Sequence, residues 1–259
     1  MKVSTMAEMI ASGQTPEVLF WVGCAGSFDA RAQKITKAFA TILEKAGVSF
    51  AILGKEEACT GDPARRAGNE FMFQMMAYQN IQILNGYAIK KIVTTCPHCF
   101  NILKNEYPVL GGQYEVIHHT QFLQELIEQG KIKISDSNEW KGKSITYHDS
   151  CYLGRANEIY EAPRKVLESL DLELREMKRC KSKGLCCGAG GAQMFKEEEK
   201  GDKRVNMERA EEAIATDAAF VASACPFCNT MLTDGIKNRS EEVKTEVLDI
   251  AEIIAKAIS

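Results

Sequence analysis

All but one of the ten cysteines in this 259-residue chain fall into two sets spaced like metal ligands. The first set is Cys24, Cys59, Cys96 and Cys99, and the second is Cys151, Cys186, Cys187, Cys225 and Cys228. In each, the distal pair is a Cys-Pro-x-Cys run, CPHC or CPFC. At the start of a helix such a run points two thiolates the same way, where the helix N-terminus stabilises their charge. Pro97 and Pro226 suit a first helical turn, which needs no amide hydrogen. Cys186 and Cys187 open the stretch CCGAGG, whose glycines let backbone approach a bulky inorganic core and offer amide hydrogens to its sulfides. A bare zinc ion needs no such clearance, and five thiols exceed what a tetrahedral zinc or a cubane cluster requires. The first set carries Thr60 where the second has Cys187, and its four thiols suffice for a cubane cluster or for zinc. The two sites are therefore expected to be different chemical objects. A single zinc ribbon is disfavoured by the long gap from Cys99 to Cys225, and a thioredoxin-type pair needs no third, fourth or fifth cysteine.

The elements that must position these thiols are written twice. TTCPHCFNILK (94–104) returns as SACPFCNTMLT (223–233), and YEVIHHTQFLQELI (114–127) as TEVLDIAEIIAKAI (245–258). Cys24 precedes Cys59 by 35 positions, as Cys151 precedes Cys186, and Gly61 follows Cys59 as Gly188 follows Cys186. Two domains are expected, 1–139 and 140–259. In the first, VLFWVGC reads as a strand, AQKITKAFATILEKAG as an amphipathic helix ended by Gly47, and VSFAIL as a strand. ARRAGNEFMFQMMAYQNIQILNGY then reads as one long helix before the strand KKIVTT. The second half repeats the order with SITYHDSC, APRKVLESL, LELREM, RVNMERAEEAIAT and AAFVAS. Such alternation predicts an α/β fold of two small homologous units with parallel sheets, related by duplication about a pseudo-twofold. The metal sites are expected at the carboxyl ends of the strands, near the interface of the units, because Cys24, Cys96, Cys151 and Cys225 all leave strands there.

Composition sets the outer bounds. Hydrophobic residues make up 45% and charged residues 26%, an ordinary globular balance. The net charge of -3 offers no basic field for nucleic acid. The longest apolar run is strand-sized, so direct membrane insertion is not expected. The segment MKVSTMAEMIASGQ lacks a signal peptide's apolar centre, which predicts a cytoplasmic chain, peripheral to a membrane only through a partner. In that compartment thiols stay reduced, which favours metal over disulfides.

Other reactive residues have plainer readings. His148, three residues before Cys151, is a candidate proton donor to a substrate at the second site; a hydrogen-bonded structural histidine competes, since the repeat has Trp21 there. His118 and His119 are expected to close a strand before a Thr120 helix cap. Cys180, in the basic stretch KRCKSKG, is expected to be a free loop thiol, and Lys178 to Lys183 a solvated loop or a docking edge. Arg65 and Arg66 are expected to cap and pair locally, and Phe71, Met72, Met75 and Met76 to form a buried helical face. Neither Gly23 and Gly26 nor GAGG makes a dinucleotide fingerprint.

A lone Cys, a CCG and a distal CxxC, written twice from about Val18 to Ala257 with CTG in place of CCG in the first half, resemble the cysteine-rich (CCG) domain proteins. These include the CCG-bearing component of heterodisulfide reductase and the iron–sulfur subunits of glycolate, lactate and glycerol-3-phosphate oxidoreductases. CTGDPARRAGNE, TTCPHCFNILKNEYP and CCGAGG look most like a bacterial branch that passes electrons between flavoproteins and quinone. The resemblance implies a noncubane 4Fe–4S cluster on Cys151, Cys186, Cys187, Cys225 and Cys228. On Cys24, Cys59, Cys96 and Cys99, one ligand short, it implies a 4Fe–4S cluster, with zinc the alternative. The expected function is an electron-transfer subunit of a heterodisulfide-reductase-like oxidoreductase. Its expected partners are a ferredoxin-like iron–sulfur subunit or flavoprotein and a membrane-bound quinone-linked subunit. A catalytic disulfide reductase and a zinc-stabilised non-redox scaffold are the rivals. No ferredoxin-type run of close cysteines is present, so the input clusters are expected on another chain.

Overall fold

The computed structural model describes residues 3–197, 200–239 and 245–258. Its contacts divide the chain into Met1–Ile132 and Lys133–Ser259. The first unit runs α1 (Met6–Ala11), β1 (Val18–Trp21), α2 (Gly23–Phe28), α3 (Ala32–Lys45), β2 (Phe50–Ala51), α4 (Asp62–Arg66), α5 (Glu70–Gly86), β3 (Lys91–Thr94), α6 (Pro97–Asn101), β4 (Glu115–His118) and α7 (His119–Glu128). The second runs β5 (Ser144–Tyr147), α8 (Glu161–Glu168), β6 (Glu173–Leu174), α9 (Val205–Ile214), β7 (Phe220–Ser223), α10 (Pro226–Lys237), β8 (Glu246–Asp249) and α11 (Ile250–Ala257).

Strands covered on both faces read as short apolar runs, and β1 is buried at every position. Each unit holds one four-stranded sheet, ordered β2-β1-β3-β4 or β6-β5-β7-β8, with every pairing parallel. The α/β fold and the duplication expected from the sequence are both present. In each sheet the chain steps outward from the first strand, then returns to the other side of it. That reversal lies between β1 and β3, and between β5 and β7, and loops leaving the carboxyl ends there part to open a crevice.

Helices cover the sheets through single apolar stripes. In α3, Ile35, Phe39, Ile42 and Leu43 are buried, with Phe39 set edge-on to Phe20 of β1 at 5.1 Å. Burying side chains of this size contributes roughly 1.5–3 kcal/mol each. Gly47, at φ +66°, turns the chain out of α3 as expected.

Four local expectations need correction. The long helix over 64–87 is two helices, because Gly68 takes φ +86° and Asn69 restarts the chain by accepting a hydrogen bond from Met72 N–H. In α5 the buried stripe is Phe73, Ala77, Ile81 and Leu84; Phe71, Met72 and Met75 are exposed, and Met76 is only half-buried. A helix apolar on most sides can bury only the stripe that faces its sheet. VSFAIL and LELREM supply just two strand residues each, at edges paired on one side only. The cap of α7 is His118 rather than Thr120: its ring nitrogen accepts from Thr120 N–H. Asp249, its counterpart in the repeat, caps α11 in the same way.

Candidate metal centres

In the first unit, β1 delivers the chain to Gly23, whose φ of +77° turns it into α2 and presents Cys24. The Glu57 carboxylate clamps this turn, accepting from Val22 N–H at 3.0 Å and Gly23 N–H at 2.5 Å. Burial pushes Glu57 up to about 7 against the pull of those two amides. A Cβ on Gly23 would lie 3.3 Å from Cys99 Sγ, so the glycine keeps space beside that thiol clear. Cys59 arrives on the loop after β2 and accepts from Gly61 N–H at 3.5 Å. Cys96 caps α6 and Cys99 sits in its first turn, after Pro97, as the CPHC run predicts. Cys24 lies beside Cys59, and Cys96 beside Cys99. The neighbouring Cys24 thiol brings Cys59 down to about 7, and the same interaction, with burial, holds Cys24 well above an ordinary thiol.

The second unit repeats this with more acid and base around it. After β5 come His148, Asp149, Ser150 and Cys151, with His148 N–H donating to Ala222 O at 2.9 Å. Asp149 is gripped by buried Arg164 at 2.8 and 3.0 Å and accepts from Lys181 N–H at 2.6 Å. Arg164 also forks onto Glu176 at 2.6 and 2.9 Å, so the loops on both sides of the cysteines hang on one guanidinium. Gly188 N–H donates to Cys186 Sγ at 3.3 Å, the counterpart of Gly61 on Cys59, and both glycines have φ +91°. Cys225 caps α10 and Cys228 lies in its first turn. Ser150 Oγ donates to Cys228 Sγ at 3.5 Å.

The five thiols form an unbroken string of neighbours: Cys151 beside Cys186, Cys186 beside Cys187, Cys187 beside Cys228, and Cys228 beside Cys225. Cys186, which accepts from Cys151 and then Cys187, is driven far below the ordinary thiol range, and Cys151 and Cys187 are held above it. Buried thiolates in contact repel one another, so the string can lose its remaining protons to solvent only when a multiply charged cationic core takes their place. Thiolate ligands select zinc, copper(I) or iron–sulfur, and five of them around glycine-rich backbone fit an iron–sulfur core.

The remaining candidates separate cleanly. Cys180 is half-buried beside Glu176, Asp149, Arg164 and Lys181 and takes no part in the thiol string. Arg65 and Arg66 pair locally with Glu70 and Asp62, as expected, and both also reach Glu106, 41 and 40 positions along the chain. Lys181 pairs with Glu161 across an exposed loop. His148 is fully buried, its Nδ1 accepting from Arg209 Nε at 2.9 Å; burial, then the guanidinium, push it down to about 3. Glu57, Asp149, Arg164 and Arg209, which brace the turns around the candidate sites, are residues that sequence reasoning misses. Only Arg209 leaves a trace in the sequence, since Asn206, Arg209, Ala210 and Ala213 share the buried stripe of α9 and two of them are polar.

This chain belongs to the cysteine-rich (CCG) domain family, which it matches over residues 18–104 and again over 145–233. It is 46% identical over 258 residues to the probable iron-sulfur-binding oxidoreductase FadF of Bacillus subtilis, covering 99% of this chain and 36% of that protein. It is 44% identical to the EtfAB:quinone oxidoreductase of Syntrophomonas wolfei, covering 95% and 35%. Identity is 36% with one component of the dihydromethanophenazine:CoB--CoM heterodisulfide reductase of Methanosarcina barkeri, covering 93% and 59%. The chain thus spans between about a third and three-fifths of these relatives. A hypothetical protein from Helicobacter pylori shares the fold, with a TM-score of 0.61 at 10% identity over 94% of this chain and 49% of that one. Among the described residues no helix is long and apolar enough to cross a membrane.

Proposed function

We propose that this chain is the iron–sulfur electron-transfer part of a heterodisulfide-reductase-like oxidoreductase, acting at the cytoplasmic face. The observation that carries the reading is the gathering of five thiols in one cluster, with Gly188 N–H donating to Cys186 Sγ. Cys151, Cys186, Cys187, Cys225 and Cys228 would hold a noncubane 4Fe–4S cluster, and Cys24, Cys59, Cys96 and Cys99 a second 4Fe–4S centre, with zinc the alternative there. When bound, such centres accept and release single electrons without making or breaking bonds to the protein. The chain's own work is to exclude water, hold the thiolates close and donate amide hydrogens from Gly61 and Gly188 to the ligand sulfurs.

Electrons would enter from a ferredoxin-like iron–sulfur subunit or a flavoprotein and leave to a disulfide or a quinone-linked membrane subunit. The name of the Syntrophomonas relative supports the quinone arm. A second reading, direct disulfide reduction at the five-thiol centre, is favoured by the fifth thiol, Cys187, and by the Methanosarcina relative.

Anaerobic iron, sulfide and zinc analysis with electron paramagnetic resonance tests this. Two 4Fe–4S centres require about eight irons per chain. About four irons with stoichiometric zinc would make the first centre structural, and zinc without iron would overturn the reading.

A further inference from the structure

His148 Nε2 is buried and has no hydrogen-bond partner among the described residues. A ring nitrogen of His148 lies within 4.8 Å of both Cys187 Sγ and Cys228 Sγ. Which nitrogen carries the proton follows from Arg209, whose Nε donates to Nδ1 at 2.9 Å. A guanidinium has donors only, so Nδ1 must present its lone pair and the proton of the neutral ring sits on Nε2. Arg209 is itself held, donating from Nη1 to Arg179 O and to Glu212, each at 2.8 Å. Glu212 also accepts from Arg179 N–H at 2.5 Å, which anchors the array at its far end.

A buried N–H without an acceptor is rare in folded proteins, and a sulfur-rich centre held beside Cys187 and Cys228 would supply one. The repeat makes the same point with different chemistry. Trp21 occupies the place of His148, is fully buried, and has an indole Nε1 with no partner among the described residues. An indole N–H donates only; it neither ligates a metal nor relays a proton. What the two positions share is a buried N–H donor at the end of the first sheet strand.

Resting on the reading of the five-thiol set as an iron–sulfur site, we propose that His148, held in its Nε2–H tautomer by Arg209, is a hydrogen-bond donor to the sulfur of that centre. It is neither a metal ligand nor a proton relay. Hydrogen bonds to cluster sulfur stabilise the more negative reduced state, so His148 raises the potential of this centre, and Arg209 is its positioning residue.

The test begins with histidine nitrogen resonances of the iron-free protein. The chain has only four histidines, and His148→Gln assigns the relevant one. An unprotonated Nδ1 and a protonated Nε2 are expected; a protonated Nδ1 overturns the proposal. Redox titration of iron-loaded protein follows. His148→Met and Arg209→Met should lower the potential of the second centre at unchanged iron content. His148→Gln, which can accept from Arg209 and donate onward, should restore most of it. Hyperfine spectroscopy of the unaltered protein should show an exchangeable deuteron coupled to the second centre and no directly bonded histidine nitrogen.

An unshifted potential in fully loaded His148→Met, or a bonded nitrogen, overturns the proposal. Should His148→Met fail to fold, the tautomer and the deuteron coupling of the unaltered chain still decide. Absence of iron from the unaltered protein would show instead that the reading of the site has failed, and the proposal with it.

Discussion

Thr60 Oγ1 donates to Cys99 Sγ at 4.0 Å, and Cys187 Sγ lies within 4.8 Å of the sulfur of Cys228, the counterpart of Cys99 in the repeat. One hydroxyl-for-thiol difference in the same place therefore separates the two proposed centres. Cys187→Thr should remove whatever signal is peculiar to the second centre while leaving iron there, and Thr60→Cys should move the first centre towards it. Paramagnetic resonance with iron counts on both variants checks this; an unchanged spectrum in Cys187→Thr would show that the fifth thiol is no ligand. Arg164 is the other decisive residue. It is buried and holds Asp149 and Glu176 together, and removing one partner of a buried ion pair costs about 3–5 kcal/mol because the others keep their charge. Arg164→Met should show a loss of that size in denaturant unfolding of the metal-free chain. A much smaller loss would mean that water reaches the carboxylates.

At the scale of elements, the two thiol-bearing turns differ in how tightly they are backed. Gly61 and Gly188 share φ +91°, but a Cβ on Gly61 would meet Phe73 of α5 at 2.9 Å, whereas one on Gly188 would meet its neighbours at 3.4 Å or more. Gly188→Ala should cost the left-handed backbone penalty of about 1–2 kcal/mol. Gly61→Ala should cost a further ~1–3 kcal/mol from overpacking. Unfolding of both alanine variants tests the ranking, and equal losses would refute it. The anchor of α9 predicts a pH effect. Burial works against the Glu212 carboxylate, but the Arg179 amide and the Arg209 guanidinium outweigh it and hold its pKa below the usual value. A carboxyl lowered by folding contributes stability that is present above its ordinary pKa and lost as pH falls through the folded value. Glu212→Gln should therefore destabilise the chain near neutrality and flatten its acid limb; parallel acid limbs in the two proteins would count against this.

At the scale of the molecule, each thiol set is drawn from a single unit with its own sheet. Cys225→Ser should therefore remove the signal of the second centre and about four irons, with the first centre unchanged. Loss of both centres together would show that they assemble as one.

Much of this is legible in one dimension because duplication and cysteine spacing are one-dimensional. The two sets, the CPHC and CPFC helix starts and the parallel α/β units follow from residue order alone. So does the match of Asp249 to His118, although only the structure shows that both are caps. The exposed stripe of α5 is not legible, because Phe71, Met72 and Met75 have the right spacing for a buried face, and spacing does not say which side meets a sheet. The clamp of Glu57 on the Cys24 turn, the grip of Arg164 on Asp149 and the bond from Arg209 to His148 join residues 34, 15 and 61 positions apart. Charge pairs and tautomers of that kind depend on distance and burial. By itself the sequence determined which atoms could bind metal and how many times; only the tertiary structure decided which of them touch, and therefore which proton sits where.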